Sequence, residues 1–134
     1  THVPLIVRWD GKIEAGKTFS DLIDFSDFLP TICDAANIDV SSQTKIDGVS
    51  FLPQLLGEKG KPRKWIYSWY DPRGKELKEF ARNTKYKLYR TGEFYNIKED
   101  FFEKSPIALI NMNIDAKQSY NILSKALDKY ENIR

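Results

Sequence analysis

The fold is decided by the segment Trp65-Ile66-Tyr67-Ser68-Trp69-Tyr70 and by three strand-like segments that follow it at short intervals. The first segment is rich in the aromatic and β-branched residues that favour strands. The others are Glu79-Phe80-Ala81-Arg82, Lys85-Tyr86-Lys87-Leu88-Tyr89-Arg90 and Phe94-Tyr95-Asn96-Ile97. The connections Asn83-Thr84 and Thr91-Gly92-Glu93 are short enough for hairpins. This spacing predicts an antiparallel sheet of about four strands.

A helix is predicted after the sheet, over residues 116–133. Apolar side chains recur there at steps of four and three residues, which places them on one face of a helix. They are Ala116, Tyr120, Leu123, Leu127 and Tyr130. We expect this stripe to pack on the sheet, with Asp115 capping the helix and Gln118 completing a capping box.

Residues 1–64 have a different pattern, which predicts a strand, a helix and a loop. The apolar run at residues 3–9 is typical of a strand covered on both faces, and residues 22–25 predict a second short strand. A helix is expected from Ser26, its N-cap, to Asn37, which would close it in a left-handed conformation. A short helix should follow at residues 51–56 and end at Gly57.

The predicted fold class is therefore α+β: an N-terminal strand and helix, then an antiparallel sheet packed by a C-terminal helix. The charged stretch at residues 58–64 carries Gly60 and Pro62 and is typical of an exposed connector. We expect one structural part in residues 1–64 and another in residues 65–134.

Composition excludes several classes of function. The formal net charge of the 134 residues is +2, which is too small to indicate a nucleic-acid partner. No apolar run approaches the length of a membrane span. The single cysteine, Cys33, is interpreted as an inert thiol at a buried helix position, because Ile32 and Ala36 adjoin it.

No catalytic or metal-binding residue is predicted from the sequence. The single histidine, His2, has no neighbours at metal-ligand spacing. The carboxylates of Asp21, Asp24 and Asp27 recur every three residues, but a structural role at the helix start is favoured over a metal site. The basic and aromatic residues between Arg82 and Arg90 favour a strand with one solvated face over a nucleic-acid surface.

The sequence resembles the last third of a sulfatase, an arylsulfatase-like enzyme of the alkaline-phosphatase superfamily. Five segments in the same order carry the resemblance. They are Val3-Pro4-Leu5-Ile6-Val7-Arg8-Trp9, Asp27-Phe28-Leu29-Pro30-Thr31-Ile32-Cys33-Asp34, Asp47-Gly48-Val49-Ser50-Phe51-Leu52-Pro53-Gln54-Leu55-Leu56-Gly57, Arg82-Asn83-Thr84-Lys85-Tyr86-Lys87-Leu88 and Glu93-Phe94-Tyr95-Asn96-Ile97-Lys98-Glu99-Asp100. The sequence departs from the family pattern at His2, Asp10, Asn96 and Phe101, which affects only local turn geometry.

The resemblance implies that residues 1–64 are the final elements of the large domain of a longer enzyme and that residues 65–134 are its C-terminal subdomain. Sulfatases use a formylglycine, made from the Cys or Ser of a "C/S-x-P-S-R" motif, and a calcium ion to attack a sulfate ester. None of these positions maps onto this chain, and Cys33 lacks the Pro-Ser-Arg context. We therefore expect an inactive C-terminal fragment that packs against an N-terminal catalytic domain of the same, exported protein. The substrate would be a sulfated small molecule or carbohydrate.

The same resemblance implies a place near the substrate for one turn of the chain. The C-terminal part of sulfatases often borders the substrate pocket, and binding residues often lie on turns. Tyr70 and Arg73, in the turn Tyr70-Asp71-Pro72-Arg73-Gly74, are the predicted rim residues. An arginine suits paired hydrogen bonds to a sulfate group.

Two other functions remain open at this point. One is the tail of another hydrolase or transferase of the superfamily, acting on phosphodiesters, phosphonates or phosphoglycerol. The other is a non-enzymatic interaction domain with the aromatic sheet as its binding face.

Overall fold

The computed structural model describes residues 3–40, 46–71, 74 and 78–131. They form two compact units, one up to Arg63 and one from Lys64. The predicted boundary, between residues 64 and 65, lies one residue later. The assignment of the first unit to the large sulfatase domain stays a prediction.

The second unit contains a four-stranded antiparallel sheet. Its strands are β1 (Ile66–Tyr70), β2 (Lys78–Arg82), β3 (Tyr86–Tyr89) and β4 (Phe94–Asn96), and they lie side by side in chain order. The register pairs Tyr67 with Ala81 and Ala81 with Leu88, and Leu88 pairs with Phe94. The predicted sheet is therefore confirmed.

One helix, α3 (Ile114–Asp128), packs on β2 and β3 of this sheet. The buried core consists of apolar side chains from the sheet and from the helix. They are Ala81, Tyr86, Leu88, Phe94, Met112, Ala116, Leu123, Ala126 and Leu127. Two further members of the predicted stripe pack through their rings, since Tyr120 meets Phe94 edge to face and Tyr130 stacks on Tyr67. The predicted α+β class and the helix on the sheet are confirmed.

The cap predicted for this helix is wrong. The helix begins two residues before Ala116, and the side chain of Asn113 accepts the amide hydrogen of Ala116 at 2.8 Å. Asp115 instead accepts hydrogen bonds from the Lys85 ammonium at 2.7 Å and from the Tyr86 hydroxyl at 3.2 Å. The hydrogen bond from Lys85 is the main reason why the pKa of Asp115 lies below its ordinary value.

In the first unit, a 3₁₀ turn (Phe25–Asp27) leads into helix α1 (Phe28–Ala35). Asp24 caps this turn, and not Ser26, because the Asp24 side chain accepts the Ser26 amide at 3.0 Å. Asn37 adopts the expected left-handed conformation, with φ of 57°. The short helix α2 (Leu52–Leu55) ends before Gly57, whose φ is 83°.

The strands predicted at residues 3–9 and 22–25 are absent. Residues 3–9 have no regular structure and are exposed, with Ile6 at 92% of its maximal exposure. A strand needs a hydrogen-bonded neighbour, and the described residues of the first unit contain no strand. The predicted burial of Cys33 is also wrong, because this thiol is half-buried and the adjacent Ile32 is exposed.

A buried ion pair joins three segments of the first unit. The Asp27 carboxylate accepts the Asp24 amide at 2.8 Å and the Val49 amide at 2.7 Å. The Arg63 guanidinium binds the same carboxylate, with its Nε atom 2.9 Å from Oδ2. Only 2% of the Asp27 side chain and 10% of the Arg63 side chain are exposed. The pair therefore anchors the connector and the loop after α1 to the start of the helix.

Gly48 is required beside this pair. A Cβ atom built on Gly48 would overlap the carbonyl oxygen of Ser26. Next to it, the Thr31 hydroxyl donates to the Asp27 carbonyl at 2.6 Å and accepts the Phe51 amide at 3.1 Å. The hydrogen bonds of Asp27 and Thr31 therefore hold the motif segment at residues 27–34 against the motif segment at residues 47–57.

We predict that Asp27→Asn destabilises the first unit by about 3–5 kcal/mol, because it removes the charge of a carboxylate that is only 2% exposed and pairs with the Arg63 guanidinium. Amide hydrogen exchange across α1 measures this locally. The matched control is Asp10→Asn, which removes an ion pair with Arg8 whose side chains are 76% and 83% exposed. The control should exchange like wild type, and equal exchange in both variants would refute the role given to the buried pair.

Candidate functional site

The end of the sheet at which β1 finishes and β2 begins holds the candidate site. Tyr70 and Lys78 face each other in the register there, and the amide of Arg90 donates to the carbonyl of Glu79 at 2.9 Å. Tyr70 is 60% exposed, as a rim residue must be. Arg73, the second predicted rim residue, lies outside the described residues.

An open cleft of about 340 Å³ lies at this end of the sheet. Polar side chains from β2, from β3 with the following turn, from β4 and from the segment after β4 line it. They are Lys78, Glu79, Tyr89, Arg90, Thr91, Glu93, Tyr95 and Glu103. Its volume is at the lower end of the range of about 300–1,000 Å³ that is usual for small-molecule sites.

A charged cluster forms one wall of the cleft. Since Tyr86 and Leu88 face α3, the intervening Lys87 lies on the opposite face of the sheet, here called the outer face. The Lys87 ammonium lies 2.7 Å from Glu103 Oε1 and 2.6 Å from the Tyr89 hydroxyl, and this hydroxyl donates to the other oxygen of Glu103. The Phe80 ring lies below it, with its centroid 4.2 Å from the nitrogen.

The cluster corrects the prediction of a strand with one solvated face. Lys87 is only 7% exposed, because Glu103 approaches the outer face from the segment after β4. Glu103 has a φ of 54°, a conformation that non-glycine residues rarely adopt. The alternation of Lys87 and Tyr89 places both on one face, but no local pattern indicates that a carboxylate 16 residues further along covers them.

The tyrosines of the cleft stay neutral at physiological pH. Burial, followed by the hydrogen bond to Glu103, raises the pKa of Tyr89 well above its ordinary value. Burial and the charge of Glu93 also raise the pKa of Tyr95. The hydroxyl of Thr91 is the main cause that lowers the pKa of Glu93, which keeps this carboxylate ionised.

The Arg90 side chain lies on the side of the sheet that α3 covers, and its partners are there. Its Nη2 atom lies 3.1 Å from the buried Glu79 carboxylate and also donates to the carbonyl of Leu127, while Nη1 lies 3.1 Å from Asp128. The hydrogen bond with Glu79 is the main reason why the pKa of Arg90 is raised. This arginine therefore ties the β3–β4 turn to α3.

The residues considered for catalysis and metal binding are not brought together. His2 lies outside the described residues. Asp24 and Asp27 accept backbone amide hydrogens, and Asp21 is exposed. In the described part of the chain, no three His, Cys, Asp or Glu side chains are grouped to hold a metal ion. No helix among those residues has both the length and the apolarity to cross a membrane.

The combination of a four-stranded antiparallel sheet, one covering helix and the five motif segments defines a sulfatase C-terminal region. The chain belongs to the family described as N-sulphoglucosamine sulphohydrolase, C-terminal, whose model matches residues 1–133. The resemblance to sulfatases is thereby confirmed.

Three relatives carry sulfatase names. The chain is 31% identical to the N-acetylglucosamine-6-O-sulfatase of Bacteroides thetaiotaomicron over 93% of its length, and this match covers 22% of the relative. It is 44% identical to the uncharacterized sulfatase YdeN of Escherichia coli over 53% of its length, or 14% of that protein. It is 35% identical to an ulvan-active sulfatase of Formosa agariphila over 48% of its length, or 13% of that protein.

The chain thus spans about a fifth or less of the curated relatives that it matches.

We predict that Glu103→Gln destabilises the second unit, because it leaves Lys87 buried without a carboxylate. The cost should be about 2 kcal/mol, below the roughly 3–5 kcal/mol of fully buried pairs, since 24% of the Glu103 side chain is exposed. Denaturant unfolding followed by the fluorescence of Trp65 and Trp69 measures it. Glu99→Gln, an exposed carboxylate in the same segment, is the control and should leave the midpoint unchanged. Two variants with the same midpoint would show that Glu103 does not hold the segment.

Proposed function

We propose that this chain is the C-terminal part of an enzyme that hydrolyses sulfate esters, and that its own role is structural and substrate-facing. The observation that carries the proposal is the family match over residues 1–133. The sulfatase names of the three relatives support it.

The reacting groups belong, in this proposal, to the part of the enzyme that the chain does not cover. A calcium ion and a formylglycine would supply the electrophilic and nucleophilic chemistry there. The described residues of this chain do not fit either group, because they contain no metal-binding cluster and Cys33 lacks a following Pro-Ser-Arg sequence. We assign no step of the reaction to them, and we propose that the chain alone is inactive.

Exposed apolar side chains support the proposal that another domain of the same polypeptide packs against this chain. Large residues stand out into solvent in both units, for example Ile6 at 92%, Phe25 at 79%, Phe101 at 77% and Ile110 at 91%. Exposed apolar patches often mark protein contacts. We propose that the catalytic domain covers these residues and that residues 3–9 add a strand to its sheet.

Tyr70 and Arg73 form the rim in this proposal. Tyr70 is exposed at the end of β1, and Arg73 follows three residues later. An arginine binds an oxyanion through two parallel hydrogen bonds, and the substrate would be a sulfated small molecule or carbohydrate. The names of two relatives, which refer to N-acetylglucosamine and to ulvan, favour a carbohydrate.

The expected result is that the full-length protein releases sulfate from at least one of two probes, N-acetylglucosamine 6-sulfate and 4-nitrocatechol sulfate, and that the chain alone releases it from neither. In the full-length protein, Arg73→Ala should lower kcat/KM by roughly tenfold or more, because a charge-assisted hydrogen bond to the substrate is lost. Initial rates over a range of substrate concentrations measure both effects.

Lys117→Ala is the control, since it removes an exposed cation of α3, and it should keep the wild-type rate. Turnover by the chain alone would contradict the structural role. An unchanged kcat/KM in Arg73→Ala would remove Arg73 from the rim but leave the sulfatase assignment standing.

A further inference from the structure

We propose that the cleft at the end of the sheet binds an uncharged sugar residue of an oligosaccharide substrate, away from the sulfate ester that reacts. The proposal rests on the proposed function, because it assigns the cleft to the same enzyme. Three observations support the proposal. They are the shape of the cleft, the pairing of the charges in the cleft and the hydrogen-bonded turn that frames the cleft.

The shape of the cleft suits one sugar ring. The rings of Tyr89 and Tyr95 meet nearly at right angles, with an interplanar angle of 86° and centroids 6.1 Å apart. The Tyr95 side chain is only half-buried, so part of its ring is open to a ligand. A sugar ring has an apolar C–H face that packs against such an aromatic ring, and removing both surfaces from water is favourable.

Two of the three carboxylates that line the cleft are compensated within the protein. The Glu79 carboxylate is bonded to Arg90 and to the Tyr67 hydroxyl, which lies 3.1 Å away. The Glu103 carboxylate is bonded to Lys87 and Tyr89. An anion entering the cleft would meet the exposed Glu93 carboxylate and the Glu103 carboxylate, whereas the Arg90 guanidinium lies on the helix side and already binds Glu79, Asp128 and Leu127. This pairing disfavours a sulfated sugar and favours an uncharged one.

Acceptors for hydroxyl groups remain. An ionised carboxylate accepts hydrogen bonds at about four lone-pair positions. On Glu93, hydrogen-bond donors of the protein occupy few of these positions. The Glu93 side chain is exposed and binds the Thr91 hydroxyl through one oxygen, Oε2. A hydrogen bond from a neutral hydroxyl to a carboxylate is charge-assisted and stronger than a neutral one. Glu93 and the Tyr95 ring therefore offer a sugar one polar and one apolar contact.

The frame of the cleft is rigid before a ligand arrives. The β3–β4 turn is closed by the hydrogen bonds from the Tyr89 amide to the Glu93 carbonyl at 2.9 Å and from the Gly92 amide to the Tyr89 carbonyl at 3.0 Å. Gly92 has a φ of 103°, which only glycine adopts readily. A preformed site loses less entropy on binding, and Tyr70 at the same end of the sheet relates the cleft to the proposed rim.

The test measures the binding of two uncharged trisaccharides, cellotriose and triacetylchitotriose, to the full-length protein by calorimetry. We expect at least one of them to bind, to bind at least about tenfold more weakly to Tyr95→Ala, and to bind to Tyr95→Phe within about threefold of wild type. Inorganic sulfate should not displace it. Glu93→Gln should weaken binding severalfold, while Glu99→Gln, an exposed carboxylate outside the cleft, should not.

Failure of both trisaccharides to bind to wild type, displacement by inorganic sulfate, or equal binding by wild type and Tyr95→Ala would each overturn the proposal. Should Tyr95→Ala not fold, the comparison of Glu93→Gln with Glu99→Gln decides, and equal binding by those two overturns it. Sulfate release by wild type from 4-nitrocatechol sulfate and from N-acetylglucosamine 6-sulfate is measured alongside. The absence of release from both would refute the proposed function, whereas sulfate release without sugar binding would refute only the cleft.

Discussion

The packing of α3 against the middle of the sheet is the interaction on which the rest of the second unit depends. Ala81, Leu88 and Phe94 are buried beneath Leu123 and Leu127. Because side chains alternate along a strand, this contact turns Lys87, Tyr89 and Tyr95 to the outer face. An ammonium buried there needs a counter-charge, and Glu103 supplies it. The cleft therefore results from the helix contact on the opposite side of the sheet.

Much of this unit is predictable from sequence because its contacts are local. Two hairpins and a helical stripe follow from turn residues and hydrophobic spacing. The cap at Asn113 is less evident, since Asp115 is an equally good capping residue and tertiary contacts with Lys85 and Tyr86 decide between them. The burial of Lys87 was not predictable, because it depends on a carboxylate 16 residues away whose approach requires a rare backbone conformation. Tyr70 is exposed, and its place at a substrate rim stays a prediction.

In the first unit, local sequence patterns predict where the helices end but not the contacts between distant residues. The closures at Asn37 and Gly57 are set by nearby residues and agree with expectation, whereas the predicted cap at Ser26 is wrong. The run at residues 3–9 is apolar enough for a buried strand, yet a strand forms only where another strand pairs with it. Asp27 has an evident helix-start role in the sequence, but its pairing with Arg63 spans 36 residues and follows from no local pattern. In the proposal made here, the missing strand pairing comes from the catalytic domain.

Hydrogen–deuterium exchange of the amides of residues 3–9 tests this central claim most directly. The comparison is between the full-length protein and the chain alone under the same conditions. If the chain is the C-terminal part of a larger enzyme and residues 3–9 complete its sheet, these amides should exchange at least about a hundredfold more slowly in the full-length protein, since strand amides of a folded core open rarely. Equally fast exchange in both proteins would contradict the account.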